Sequence, residues 1–177
     1  MDGELLISKL DAAKRQLETA IQLFFRHGDP VSIHTLTAAS YNVISNINDR
    51  RGGDPMIVKG QLMDQVRPEA KEFFRKKLNE AENFFKHADR DAESALTFDP
   101  AETELLIVDA CSKYFQLTKE DSPFFVVFRG WYMTNHPDLF VLPDEQWRAL
   151  QISGPSFAAM GRSDYLRRML PALLLSQ

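Results

Sequence analysis

Apolar residues recur at three- and four-residue steps through most of this chain, and the steps are most regular between Pro68 and Asp91. There Ala70, Phe73, Phe74, Leu78, Ala81, Phe84, Phe85 and Ala88 draw one stripe, with Lys71, Arg75, Lys76, Glu80 and Lys86 falling largely between them. Such spacing predicts a single amphipathic helix of about six turns. Pro68 suits its first turn, where an N–H would have no partner, and Glu69 and Glu72 favour the positive end of its dipole. Upstream, Leu10, Ala13, Leu17, Ala20, Ile21 and Phe24 form the inner stripe of a first helix, with Lys14, Arg15, Gln16 and Glu18 on its wet side. It stops near Gly28. Asp29-Pro30 starts the next helix, Asp as cap and Pro at the first position, with Ile33, Leu36, Ser40, Val43, Ile44 and Ile47 turned inward. So short a break makes the two antiparallel neighbours.

The segment from Arg50 to Gly60, RRGGDPMIVKG, has the composition of a loop, and both an ordered cover and a mobile flap are open readings. Leu62 to Arg67 is either a short helical turn or an early start of the central helix with a kink at Pro68. Beyond the central helix, Phe98 anchors a polar connection to Asp99-Pro100, a second cap-and-start signal. Leu105, Leu106, Val108, Ala110, Cys111, Tyr114, Phe115 and Leu117 then make a helix apolar over much of its circumference, as expected of one packed on several sides. Asp109 interrupts that run and is expected on its wet edge, since a buried carboxylate needs a partner.

After Ser122 the texture changes. Phe124 to Phe128 has strand-like composition, yet Ser122-Pro123 is a helix start, and helix is the preferred reading. Pro143 with Asp144 and Glu145 opens a short helix carrying Trp147 and Leu150. Ser163 to Leu174 forms a last one, with Tyr165, Leu166, Met169 and Leu170 apolar and Pro171 bending or ending it. The Pro and Gly of His136-Pro137 and Gly154-Pro155, with aromatics that look exposed, suggest a segment that wraps the rest or meets a second copy. The expected fold is all-α: an antiparallel bundle of about four main helices over residues 1–120, with shorter C-terminal helices over 121–177 packed on it as one domain.

Composition narrows the function. The 177 residues are 44% hydrophobic and 26% charged, ordinary globular usage, with no repeat that would make a solenoid. A net charge of −4 argues against a broad basic face for nucleic acid, though not against a local patch. One cysteine, Cys111, excludes an internal disulfide and reads as an inert buried thiol. No apolar run reaches spanning length and no cleavage signal opens the chain, so a cytoplasmic protein without membrane contact is expected. There is no phosphate loop, no dinucleotide fingerprint, no His-Glu-x-x-His helix and no paired Glu-x-x-His. Neither cofactor nor metal is expected.

Four histidines remain. His27 ends the first helix, where a donor satisfies free carbonyls; His136 precedes Pro in a loop; His34, beside inward Ile33, reads as a packing residue. His87 lies four residues after Asn83, so both fall on one strip of the central helix, where they would bond across helices or cap its end. The run Glu82-Asn83-Phe84-Phe85-Lys86-His87, late in a long helix of a bundle, resembles the signature helix of the HEPN family (higher eukaryotes and prokaryotes nucleotide-binding). That signature is an Arg, frequently followed by Asn or Asp, with a His four to six residues after the Arg. The layout over roughly residues 8–117 is also similar to HEPN-type proteins of abortive-infection systems. The resemblance implies helical bundles, commonly dimeric, in which Arg and His act in metal-independent RNA cleavage, the His trading a proton with a ribose hydroxyl while a cation steadies the phosphate. Here Asn83 and His87 match, but Glu82 stands at the Arg position and reverses its charge. Arg90, one turn beyond His87, could supply a cation from the other side.

The resulting expectation is a non-catalytic homodimer binding RNA, a nucleotide or a protein partner. Two alternatives stand beside it: a metal-independent ribonuclease using His87 with Asn83 and Arg90, and a bundle that binds a small apolar ligand or a partner helix around Trp131, Tyr132 and Trp147.

Overall fold

The computed structural model describes residues 3–89, 92–140 and 143–175. Helix α1 (Lys9–Phe25) opens at Ser8, whose Oγ accepts the Asp11 N–H at 3.0 Å, and buries Ala13, Leu17, Ala20, Ile21 and Phe24 along the expected stripe. It closes through the backbone: the Gly28 N–H donates to Leu23 O at 2.8 Å and the His27 N–H to Phe24 O at 3.2 Å, with His27 in the left-handed region at φ 55°. His27 thus closes the helix by its φ and its amide. Asp29 then caps α2 (Pro30–Arg50), its Oδ2 accepting from the Ser32 N–H at 2.7 Å. Ile33, Ser40 and Ile44 are buried as expected, and so are His34, Thr37, Ala38, Tyr41 and Asn48.

The Arg50–Gly60 segment is an ordered cover. Asp54 O accepts from Asn48 Nδ2 at 2.8 Å and from Lys113 Nζ at 2.7 Å, and Met56 and Val58 are buried. A π-helical turn, Ile57–Gln61, follows and runs into α3 (Leu62–Asp64). The carboxylate of Asp109 holds this turn. Far from sitting on a wet edge, Asp109 is 1% exposed. Its Oδ1 accepts from the Ile57 N–H at 3.1 Å, and its Oδ2 from the Val58 N–H at 2.9 Å and the Tyr41 hydroxyl at 2.8 Å. Amides that open a helical turn lack intrahelical acceptors, and a buried carboxylate lacks water; each supplies what the other needs. Burial, with the Asp109 charge beside it, pushes the Tyr41 hydroxyl above the usual phenol range.

The expected continuous helix from Pro68 to Asp91 is two helices, α4 (Pro68–Leu78) and α5 (Glu80–Lys86), broken at Asn79, whose φ and ψ are −110° and 1°. The Asn79 Nδ2 donates to Arg75 O at 2.9 Å, the local bond by which Asn competes with helix propagation. No α4 residue is buried; Phe73 is 62% and Phe74 47% exposed. In α5, Ala81 and Glu82 are buried against the body of the protein.

Asp99 Oδ1 accepts from the Ala101 N–H at 3.0 Å and starts α6 (Ala101–Thr118), which buries Leu106, Ile107, Ala110, Cys111 and Tyr114 together with polar Thr103, Glu104, Asp109 and Lys113. Burial raises the Cys111 thiol above its ordinary range, as expected of an inert cysteine. Ser122 caps α7 (Pro123–Asn135), so the strand-like run is helical. Its Phe125, Val127, Phe128, Trp131 and Tyr132 are core residues packed on Phe24, Phe25 and Tyr114, which corrects the reading of these aromatics as exposed. Helix α8 (Asp144–Ala158) is longer than expected and passes through Gly154-Pro155; the side chain of Leu150 lies outside the described ones. Helix α9 (Arg162–Leu174) passes Pro171 and ends at Leu174.

Among the described residues there is one main core, built mainly by α1, α2, α6 and α7 and joined by Met56 and Val58 of the cover and Tyr165 and Leu166 of α9. The fourth helix of the body is therefore α7, drawn from beyond residue 121, rather than the Pro68–Asp91 stretch. Helix α9 is fastened to it by polar contacts: Ser163 Oγ donates to Phe25 O at 2.7 Å, and Arg162 reaches Glu104 at 3.1 Å while lying 4.0 Å from the Phe24 ring centroid. Gly130 lets α7 approach α9, since a Cβ there would sit 3.1 Å from the Tyr165 hydroxyl oxygen. No described helix is long and apolar enough to cross a membrane.

Candidate functional site

The site begins with the residue that departs from the resembled signature. Glu82 turns inward from α5 and is held by Lys59 Nζ at 3.1 Å, Lys86 Nζ at 2.9 Å and Asn42 Nδ2 at 2.5 Å. Lys59 Nζ also donates to Asn79 Oδ1 at 2.7 Å, so one ammonium closes both the helix break and the ion-pair cluster. Burial would raise the Glu82 carboxyl, but Lys86 and Lys59 outweigh it and hold the group below the usual carboxylate range. Glu82 is therefore an anchor for α5, and two lysines neutralise its charge on the body side of the helix.

Asn83, the next residue, points away from that cluster. Its side chain and that of His87 are exposed and make no side-chain hydrogen bond among the described residues. The four-residue spacing keeps them on one strip, but His87 is no longer helical: it follows the last turn with φ −132° and ψ 137°, its N–H donating to Asn83 O at 3.0 Å. Both line a cavity of about 730 Å³ between α4, α5 and the segment around Ser94 to Leu96, which Lys76, Phe84 and Asp89 also line. Lys76 has no carboxylate partner among the described residues, whereas Glu80 on the same wall is paired with Lys77 at 2.7 Å. Arg90, the third expected member, lies outside the described residues. Among the described residues, no group of three or more His, Cys, Asp and Glu side chains is placed to hold a metal ion.

A second cavity, of about 380 Å³, shares Glu80 and Leu96 with the first and reaches inward to His34. His34 is 2% exposed, its Nδ1 lies 2.9 Å from Thr103 Oγ1, and Phe85 and Phe98 meet its ring edge-on at 5.7 and 5.1 Å. Burial pushes its pKa down to about 4; Glu82 works against this, while Lys59 and Lys86 add to it. His34 is a packing residue in part, as expected, but its Nε2 is buried with no hydrogen-bond partner among the described residues. Sequence reasoning missed that. The signal was a His one place from an inward Ile; its partner, Thr103, lies too far along the chain to be seen from spacing.

Three aromatic residues were considered for an apolar ligand site: Trp131, Tyr132 and Trp147. Trp131 and Tyr132 are core residues, and only half-buried Trp147 lines a cavity, with Gln151 and Pro155. Compared with protein-family models, curated proteins and solved structures, the chain matches none.

Proposed function

We propose that this chain is a HEPN-like helical protein without cleavage chemistry, a binding module that takes a nucleotide or a stretch of unpaired RNA in the cleft at the end of α5. The observation that carries this reading is the division of labour within α5: Glu82 is committed to Lys59, Lys86 and Asn42, while the side chains of adjacent Asn83 and nearby His87, without a hydrogen bond among the described residues, line a cleft with Lys76 and Phe84. The chemistry suits the ligand. An amide both donates and accepts, as the edge of an unpaired base requires; a phenyl ring offers a stacking face; an ammonium meets phosphate. Cleavage needs in addition an oriented imidazole and a fixed cation at the phosphate. Among the described residues His87 has no orienting partner, and the place of the signature cation is taken by an acid.

In this reading the protein is a homodimer. Helix α4 has no fully buried residue and turns Phe73 and Phe74 outward, and a second copy is the occupant that the resemblance implies for such a face.

Binding of a short single-stranded RNA and of a mononucleotide, followed by fluorescence anisotropy at low salt, tests the site. Both should bind, and the Asn83→Ala, His87→Ala double variant should weaken them about tenfold. Absence of binding by the native protein, or an undiminished affinity in the variant, refutes the proposal. RNA incubated with excess chelator should show equal background cleavage with the native protein and with His87→Ala. Degradation that His87→Ala abolishes would establish the ribonuclease instead.

A further inference from the structure

The inner cavity holds a polar group that the cleft at His87 does not use. Its walls are largely apolar, with Leu78, Ala81, Phe98, Leu105 and Leu106 around His34. The protonation of that imidazole follows from its one contact. Thr103 is buried, and among the described residues the only hydrogen-bond partner of its hydroxyl is His34 Nδ1, at 2.9 Å. If the hydroxyl donates to Nδ1, the ring proton sits on Nε2 and one group, the Nε2–H, is left unpaired. If Nδ1–H donates instead, both the hydroxyl proton and the Nε2 lone pair are stranded. The first arrangement leaves less unsatisfied, so His34 presents a buried donor without an acceptor.

Unpaired buried donors are rare in folded proteins, and one on the wall of an apolar cavity calls for an acceptor brought from outside. We propose that the His34 cavity is a binding site for a small, uncharged, largely apolar molecule with one carbonyl-type acceptor, which takes the Nε2–H while its hydrocarbon part lies against Phe98, Leu105 and Leu106. The volume, about 380 Å³, falls in the lower range of small-molecule sites. An uncharged ligand is specified because the imidazole stays neutral near pH 7, its pKa held at about 4, and because the charged groups on the same wall, Lys77 paired with Glu80 and the carboxylate of Glu102, leave no excess positive charge for an anion. This site adjoins the nucleotide cleft, sharing Glu80 and Leu96 with it, but the inference does not rest on that reading. It also differs in place from a ligand site among the tryptophans.

The test uses the full chain labelled with ¹⁵N in its histidines, with acetophenone as probe and ethylbenzene as its carbonyl-free analogue. The unliganded protein should show His34 as the Nε2–H tautomer; the Nδ1–H tautomer overturns the proposal. Acetophenone should shift the His34 nitrogen signals saturably and bind about tenfold tighter than ethylbenzene. His34→Phe should remove that preference. Leu105→Trp, which fills the cavity from its half-buried rim and leaves His34 in place, should abolish both the shift and the binding. Equal affinity for the two probes, no saturable shift, or a shift that survives Leu105→Trp refutes the site and leaves a buried water as the acceptor.

Discussion

Helices α1 and α4 carry comparably regular apolar stripes, yet α1 buries its stripe from Ala13 to Phe24 while no α4 residue is fully buried. What separates them is a partner. The short Gly28–Asp29 link folds α2 back on α1, and α6 and α7 close over both. Helix α4 has no such cover among the described residues: the chain breaks at Asn79, and of α4 only half-buried Leu78 packs against the core. The two regions are also tied down by different physics. In the body the polar node is Asp109, enclosed and satisfied by two backbone amides and a phenol. In the arm it is Glu82, a part-buried ion-pair cluster fastening a two-turn helix. An apolar stripe shows that a helix can be buried; the surrounding topology decides whether it is.

The sharpest way to break this contrast is at the two nodes. Asp109→Ala strands the Ile57 and Val58 amides and the Tyr41 hydroxyl in a dry interior and should cost roughly 3–5 kcal/mol in urea unfolding. A loss below about 1 kcal/mol would mean that the π-turn finds other acceptors.

Acid should act next, through His34. Its pKa falls from 6.5 unfolded to about 4 folded, so between these values the unfolded chain binds the additional proton. Stability from this group is complete above pH 6.5 and is lost as pH falls toward 4, by about 3 kcal/mol in all. The charges that act on the ring are Glu82, Lys59 and Lys86, and Glu82, also held low, adds to acid lability as it protonates. Urea midpoints measured across this range should fall with pH in the native protein and much less in His34→Phe.

Glu82→Ala should cost about 2 kcal/mol, felt mainly in the arm. Hydrogen exchange should show protection lost over residues 79–87 while the amides of α1 and α2 stay slow; a uniform loss would mean that arm and body unfold as one. The smallest effect on folding belongs to Phe73→Ser with Phe74→Ser, within about 0.5 kcal/mol for the monomer because both rings are exposed. The same pair should convert a dimer to monomers in sedimentation, and an unchanged mass would remove α4 from the interface.

The capping chemistry was the most legible part of the fold. Asp29-Pro30, Asp99-Pro100 and Ser122-Pro123 each mark a helix start, because a short side-chain acceptor and a missing N–H act within a few residues of themselves. The break at Asn79 is just as local, yet it was hidden by an unbroken stripe on both sides. Gly154-Pro155 misled in the opposite sense, since α8 continues through it. Asp109 was visible as an oddity in an apolar run, but its acceptors' partners lie more than fifty residues back in the chain. For the site, the four-residue step from Asn83 to His87 placed both on one strip, and they do share one cleft. The inward turn of Glu82 was not legible, because it depends on Lys59 and Asn42, which only the tertiary fold brings near.

Lys59 belongs to both nodes. Its backbone N–H rests on the Tyr41 hydroxyl at 3.2 Å, while its ammonium grips Glu82 and Asn79. A single residue is thus a mechanical tie rod between the enclosed carboxylate of the body and the end of the protruding arm. Occupancy that displaces α5 would pull on that rod, and strain would arrive at Tyr41 without any side chain of the arm touching it.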